Sequence, residues 1–306
     1  MYCLLNDNSR FPALYSSSSR ASAGAQRKYL FLIRAQLFLL ILASAGGSIA
    51  AVVGPSRSRQ VSILTAIFLA LSLVLMWILR VQRYEKIWFD CRAVAESVKT
   101  ATWRYMMQVP PYDWDQESTN LDSKFIRELM EIREARPGID SHLAGFSSGA
   151  TEISEYMRKT RVLTLNDRRR IYLQERLQDQ KKWYEDETRT NRTFASVWFW
   201  SISTMQALAL VLAIVNAATG PWSINTVSII MTLAAAFVAW TQVKRHDELI
   251  QPYGLAAQEL SALEALESHA SEPKRFQEFV TQVEEAISRE HTMWCARRNV
   301  ILGTKR

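Results

Sequence analysis

Apolar positions fall into four blocks along the chain. Residues 35–53 (AQLFLLILASAGGSIAAVV) and 61–79 (VSILTAIFLALSLVLMWIL) have no charged side chain. Residues 195–215 and 224–243 are the two halves of a longer uncharged run, 193–243. Each block approaches the ~20 residues with which a helix crosses a hydrocarbon core of about 30 Å. A soluble alternative, in which the blocks are core helices, requires four such lengths to be buried by protein alone. The 51 uncharged residues of 193–243 exceed one crossing, so a turn is required. Backbone that leaves a helix cannot sit unsatisfied in lipid. The sequence VNAATGPWSIN at 215–225 supplies the break with Gly220 and Pro221, and surrounds it with Asn216, Thr219, Ser223 and an interfacial Trp222. Gly54-Pro55-Ser56 is the same device between the first two blocks. The pattern predicts two transmembrane helical hairpins.

After each hairpin the period changes. Ile87, Cys91, Val94, Val98 and Ala101 recur in alternating steps of four and three, and so do Leu249, Tyr253, Ala256, Leu260 and Leu263. One shift of 162 residues carries the first set onto the second and Arg83 onto Arg245. Such steps keep a narrow apolar stripe on one side of a helix, so each hairpin is expected to continue into an amphipathic helix. The stripes are candidate assembly seams, and spacing alone leaves open whether they join elements of one subunit or several subunits. Gln26-Arg27-Lys28-Tyr29 before the first hairpin matches Gln180-Lys181-Lys182-Trp183 before the second, so the hairpins read as an internal repeat.

Further helices are expected from Asp122 or Ser123 to about Arg136, ended by Pro137-Gly138, and from Ser271 and Pro273, with Phe276, Val280, Val283, Ile287 and Trp294 on its face. Residues 165–192 read as a long charged helix entering the third span. Residues 107–121 and 137–151 read as loops. No strand pattern of useful length is present. The fold class is therefore an all-α membrane protein with long cytoplasmic amphipathic helices. The division is a tail (1–19), a first unit (20–150) and a second unit (151–306).

Charge sets orientation. The chain has 37 Lys+Arg against 30 Asp+Glu. Arg20, Arg27, Lys28, Arg34, Arg80, Arg83, Lys86, Lys181, Lys182, Arg189, Arg192, Lys244 and Arg245 flank the open ends of the hairpins, whereas the tips have only Arg57 and Arg59. Basic residues favour the cytoplasmic side, so both termini and 81–192 are expected in the cytoplasm. The first residues lack an apolar core and an early basic group, which makes a poor signal peptide. Ser16–Ser19 reads as a flexible or capping stretch.

Candidate chemistry is sparse. Cys3, Cys91 and Cys295 are far apart, as are His142, His246, His269 and His291, so neither a disulfide framework nor a metal site is supported. Gly145-Phe146-Ser147-Ser148-Gly149 matches G-x-S-x-G, but the strand that a nucleophile elbow needs does not precede it. Asp113/Asp115 and Glu284/Glu285 read as solvated acid pairs. No catalytic residue, cofactor site or nucleic-acid partner is expected. Arg168-Arg169-Arg170 and Lys181-Lys182 suit anionic lipid headgroups better than a nucleotide. Polar or small residues on the spans are candidates for a water path, foremost Asn225, Ser228 and Thr232, with Ala235, Ala239 and Gln242 on the same stripe. Ser196, Ser203 and Thr204, with Gln206 nearby, mark the third span, Thr65 and Ser72 the second, and Ser44, Gly47, Ser48 and Ala51 the first. Such residues also let membrane helices pack closely.

YLQERLQDQKKWYEDE before the third span, QPYGLAAQELSAL after the fourth and ISREHTMWCARR beyond resemble the SLATT domain, the "SMODS and SLOG-associating two-transmembrane" effector domain. FPALYSSSSRASAGAQRKYL and WFDCRAVAESVKTATWRYMM around the first hairpin resemble another SLATT subfamily, so the resemblance covers roughly 12–300 in two tandem units. It implies a bacterial inner-membrane location and a pore-forming or membrane-perturbing role in conflict systems, including antiviral defence. It also implies companion proteins that make or sense nucleotide signals, as separate proteins here. Four crossings usually close on themselves, so a pore requires a homo-oligomer in the lipid bilayer. The rivals are a non-conducting membrane-anchored scaffold and, without a catalytic constellation, a membrane enzyme.

Overall fold

The computed structural model describes residues 10–113, 118–136, 138–143, 151–220, 225–267 and 272–299. The G-x-S-x-G motif, Asp115, Pro137, Pro221, Trp222, Ser223, Ser271, His269 and Cys3 lie outside them, as do the side chains of His291, Trp294 and Cys295. Every regular element among the described residues is helical: α1 (Ala13–Ala50), α2 (Pro55–Gln82), α3 (Tyr84–Met107), α4 (Ser118–Glu134), α5 (Asp140–Leu143), α6 (Glu155–Arg161), α7 (Leu165–Tyr172), α8 (Asp179–Thr219), α9 (Thr226–Lys244), α10 (His246–Ala265) and α11 (Pro273–Asn299). A π-helical turn, Leu173–Gln178, joins α7 to α8.

These helices form two compact units that do not follow chain order. One takes Arg27–Tyr84 and Arg189–Ile250; the other takes Met1–Gln26, Glu85–Thr188 and Gln251–Arg306. Each unit draws on both hairpin repeats.

The first is a membrane unit. Four helices are long and apolar enough to cross a bilayer. Their large side chains point outward: Phe38, Ile63, Leu73, Trp77, Phe199, Trp200, Leu210 and Ile214 are all exposed. In water such a surface would far exceed the apolar patches that soluble monomers expose. The soluble-core alternative is thereby overturned. The inside of the unit is made of small residues, Ala43, Ser48, Ser72, Ala209, Ala234 and Ala236, which allow helices without a hydrophobic driving force to come close. Gly46 shows the limit: a Cβ there would stand 2.3 Å from Thr65 Oγ1 on α2.

The tips form as the glycine and proline positions predict. Pro55 opens α2 at its first turn, with Gly54 before it. Gly220 at φ 91° follows the end of α8. The repeat extends to backbone geometry: α2 and α9 end on Arg83 and Arg245, both left-handed at φ 47° and 53°, and their N–H groups donate to Leu79 O and Thr241 O. This region favours glycine, because Cβ crowds the following carbonyl.

The second unit is a water-type helical domain with an aromatic core. Both predicted stripes lie inside it except Leu249, which belongs to the membrane unit. Cys91, Val94, Val98 and Ala101 are buried, as are Tyr253, Ala256 and Leu260, and Ile87, Leu249 and Leu263 are half-buried. Packing within one chain accounts for this burial without a second copy. Phe276, Val280, Val283 and Ile287 line the buried face of α11 as predicted. Helix α4 begins at Ser118, ahead of both expected caps, Asp122 and Ser123. Instead of capping, Asp122 receives the Tyr105 hydroxyl at 2.6 Å and Arg158 at 2.8 Å.

One expectation is reversed. Ser16–Ser19 is neither flexible nor a cap: α1 begins at Ala13, and all four serines are buried. The helix is capped upstream, where Leu14 N–H donates to Glu152. Serines fit inside a helix when they are small enough for close packing and return their hydroxyls to the backbone. Ser17 donates to Leu14 O at 3.1 Å, and Ser22 reaches across to Trp88 O at 3.1 Å.

Candidate functional site

Two polar constellations stand out, one in each unit. In the membrane unit, α1 and α9 share hydroxyls one turn apart. Ser44 Oγ and Thr232 Oγ1 are 2.9 Å from each other, and Ser48 Oγ donates to Asn225 O at 3.4 Å. The Asn225 carboxamide is engaged as the α9 cap, with Oδ1 accepting from Ser228 N–H at 3.1 Å. Thr232 also donates to Ser228 O at 2.9 Å. The three predicted lining residues are thus brought together, half-buried at Ser228 and Thr232 and exposed at Asn225. Their polar atoms join helices and cap a helix, as intramembrane hydroxyls commonly do. Near the other end of α9, the Arg34 guanidinium covers the Trp240 ring at 4.8 Å, a cation–π pair.

At the start of α10, His246 is buried against Phe194, with ring centroids 5.2 Å apart, and its Nδ1 lies 2.7 Å from Asn191 Oδ1. Burial, aided by the nearby Lys244 charge, lowers its pKa below the ordinary 6.5.

The second unit holds a buried ion pair. Arg176, in the π-turn, is 1% exposed and Glu284, on α11, is fully buried. The guanidinium donates from Nε to Oε1 at 2.9 Å and from Nη2 to Oε2 at 2.7 Å. Tyr172 donates to Oε1 at 3.0 Å and Thr100 to Oε2 at 2.9 Å. Every carboxylate oxygen therefore has two donors, the condition under which a buried charge is tolerable. Burial alone would lower the Arg176 pKa, but Glu284 overrides it and holds the group fully charged. The phenol of Tyr172 is pushed well above its usual range by burial and by the neighbouring carboxylate. Glu284 is therefore corrected from a solvated surface acid to a core residue. Its phase shows this, because it falls between the buried Val280, Val283 and Ile287.

The arginine cluster is corrected too. Arg168 is buried and donates to Met107 O at 2.7 Å; Arg161 donates to Tyr105 O and, at 2.8 Å, to Tyr112 O. These guanidiniums serve the carbonyl-rich C-terminal end of α3, where cations are favoured. Burial, with Arg161 nearby, pushes Arg168 down to about 10. Arg169 pairs with Glu267, Arg170 with Asp167, and Lys181 with Glu264. Among the described residues, Lys182 is the one predicted headgroup contact that is an exposed cation without such a pairing.

The whole tandem pattern has a counterpart among protein families. The model of SMODS and SLOG-associating 2TM effector domain 3 matches residues 12–169, and that of effector domain 1 matches residues 172–294. No curated protein and no solved structure matches the chain. These effector domains are associated with conflict and defence systems. With one domain of each kind in tandem over 12–294, the chain belongs to the SLATT family of two-transmembrane effector domains.

Proposed function

We propose that the protein permeabilises the bacterial inner membrane when a conflict system is triggered, as an assembly of several copies. The observation that carries this reading is the membrane unit itself: four helices long and apolar enough to cross a bilayer, with large side chains outward and small residues inside. The charge asymmetry of the hairpins supports cytoplasmic termini and outward tips. Arg161, Arg168, Arg169, Arg176 and Lys181 are engaged by groups of this chain, and no catalytic or nucleic-acid role is proposed for them. A separate protein that makes or senses a nucleotide signal is the proposed trigger. The test is release of a dye from liposomes that contain the purified chain, with and without its neighbouring gene products. Leakage supports the pore. Stable binding of those products without leakage under any combination would instead establish a non-conducting scaffold.

A further inference from the structure

The geometry points to the line Phe199, Ser203, Gln206, Leu210, Ala213 and Ala217 on α8, half-buried at Ser203 and exposed at the other five, as the surface by which two copies of this chain pair inside the membrane, Gln206 against Gln206. The inference shares with the pore reading the need for several copies, but it stands whether or not the assembly conducts.

It begins with a side chain in the wrong solvent. Gln206 lies about 15 Å from either end of the span 195–215, at 1.5 Å per residue, and is therefore near the bilayer midplane. The other amides of the spans, Gln36, Asn216, Asn225 and Gln242, stand at or beside an end. Gln206 is exposed, and among the described residues no hydrogen bond holds its carboxamide. A primary amide left unpaired in hydrocarbon is costly, and no water is available there to relieve it. A partner of matching chemistry must lie outside this chain.

The surroundings say which partner. From Phe199 to Ala217 the residues step by four, three, four, three and four, the spacing of a helix–helix seam. Phe199 and Leu210 are each 62% exposed, and Ala213 and Ala217 are exposed beside them. The two alanines allow close approach toward one end, and the larger side chains can interdigitate toward the other. A single polar residue within such a seam fixes register. Copies of one chain insert with one topology, so a two-fold axis along the membrane normal places α8 beside α8 in parallel and Gln206 at the depth of Gln206. A carboxamide is both donor and acceptor and therefore complements itself across that axis. A span of another protein would need its own amide at the same depth.

The experiment uses the full chain, purified and reconstituted alone in liposomes. Cys3 and Cys295 are replaced; Cys91, fully buried, is kept. Single cysteines are placed on the line (Ser203→Cys, Leu210→Cys, Ala213→Cys) and at Leu208 and Val211, which are also exposed but roughly 140–160° round the helix. Oxidative cross-linking is expected to give dimers on the line and little at Leu208 and Val211. Adding Gln206→Leu, which suits lipid and touches no packed interior, should weaken association by about 3- to 20-fold, the range of interhelical hydrogen bonds. Gln206→Asn should keep part of it. Equal yields all round the helix, or a Gln206→Leu variant that associates like the parent, would overturn the inference. So would a product that appears only with another protein in cells and never in liposomes of the chain alone. Dye release from the same vesicles is scored separately, with and without the neighbouring gene products: line-specific dimers without leakage under any combination uphold this pairing and refute the pore.

Discussion

Replacing Glu284 by Gln is the sharpest test of how the soluble unit is held together. The change keeps the side-chain shape but removes the charge. Arg176 is then a cation 1% exposed with a neutral partner. Removing one member of a buried pair typically costs about 3–5 kcal/mol, because the survivor is left uncompensated. One carboxamide also cannot accept from all of its neighbours: the Arg176 Nε and Nη2 groups, Tyr172 and Thr100 all donate to the carboxylate. At about 2–4 °C per kcal/mol for a domain of this size, melting should fall by roughly 6–20 °C. The assay is thermal unfolding of the full chain in detergent, followed by protease resistance of the soluble unit. Replacing the pair together, as Arg176→Met with Glu284→Leu, removes both charges and strands only the two hydroxyls, at about 1–3 kcal/mol each. The stronger prediction is therefore non-additivity. Adding Tyr172→Phe and Thr100→Val to the apolar pair should return the melt close to that of the parent. If Glu284→Gln melts within about 2 °C of the parent, or if the apolar pair is no better than the sum of the single changes, the buried-pair reasoning is wrong.

Three further outcomes follow from local geometry. Gly46→Ala should destabilise the first hairpin by about 1–3 kcal/mol, because the new Cβ meets Thr65 Oγ1 at 2.3 Å; Thr65→Ala in the same chain should recover most of the loss in a detergent melt. Arg83→Gly should raise stability by about 1 kcal/mol by relieving a left-handed residue at φ 47°, and Arg83→Val should lower it, with both changes read from unfolding midpoints. His246, whose folded pKa is lowered, favours the folded state in full above 6.5; that contribution is lost as pH falls from 6.5 toward the lower folded value and is flat below it. The difference in melting between the parent and His246→Gln should therefore shrink between pH 7 and pH 5, and a difference independent of pH would show that the imidazole stays neutral in both states.

What local pattern controls was readable: the four blocks, the Gly-Pro tip before α2 and the two stripes follow from periodicity, which needs no knowledge of neighbours. The offset that carries Arg83 onto Arg245 even anticipates a shared left-handed break. What depends on a distant partner was not. Ser16–Ser19 has the composition of a linker, and its helix is held by distant residues: Leu14 N–H donates to Glu152, and Ser22 donates to Trp88 O, 66 residues on. The pairing of Glu284 with Arg176 spans 108 residues, and nothing near either residue announces the other. The lining candidates were found as a group, but their use in joining α1 to α9 rests on Ser44 and Ser48, which only the folded unit sets opposite them.

The interleaving of the two units sets the timetable of synthesis. The soluble unit takes its last segment from residues beyond 250, after both hairpins have left the ribosome. At about 5–20 residues per second, Arg176 waits roughly 5–20 s for Glu284. Throughout that interval the stripe of α3 has no finished core to enter, and a chaperone can hold it. A nascent chain carrying the first hairpin alone is an incomplete object rather than half of a working one. The interleaving therefore builds in a delay between making the spans and completing the second unit. Early termination yields an unfinished polypeptide whose second unit lacks its last segment and is open to proteolysis.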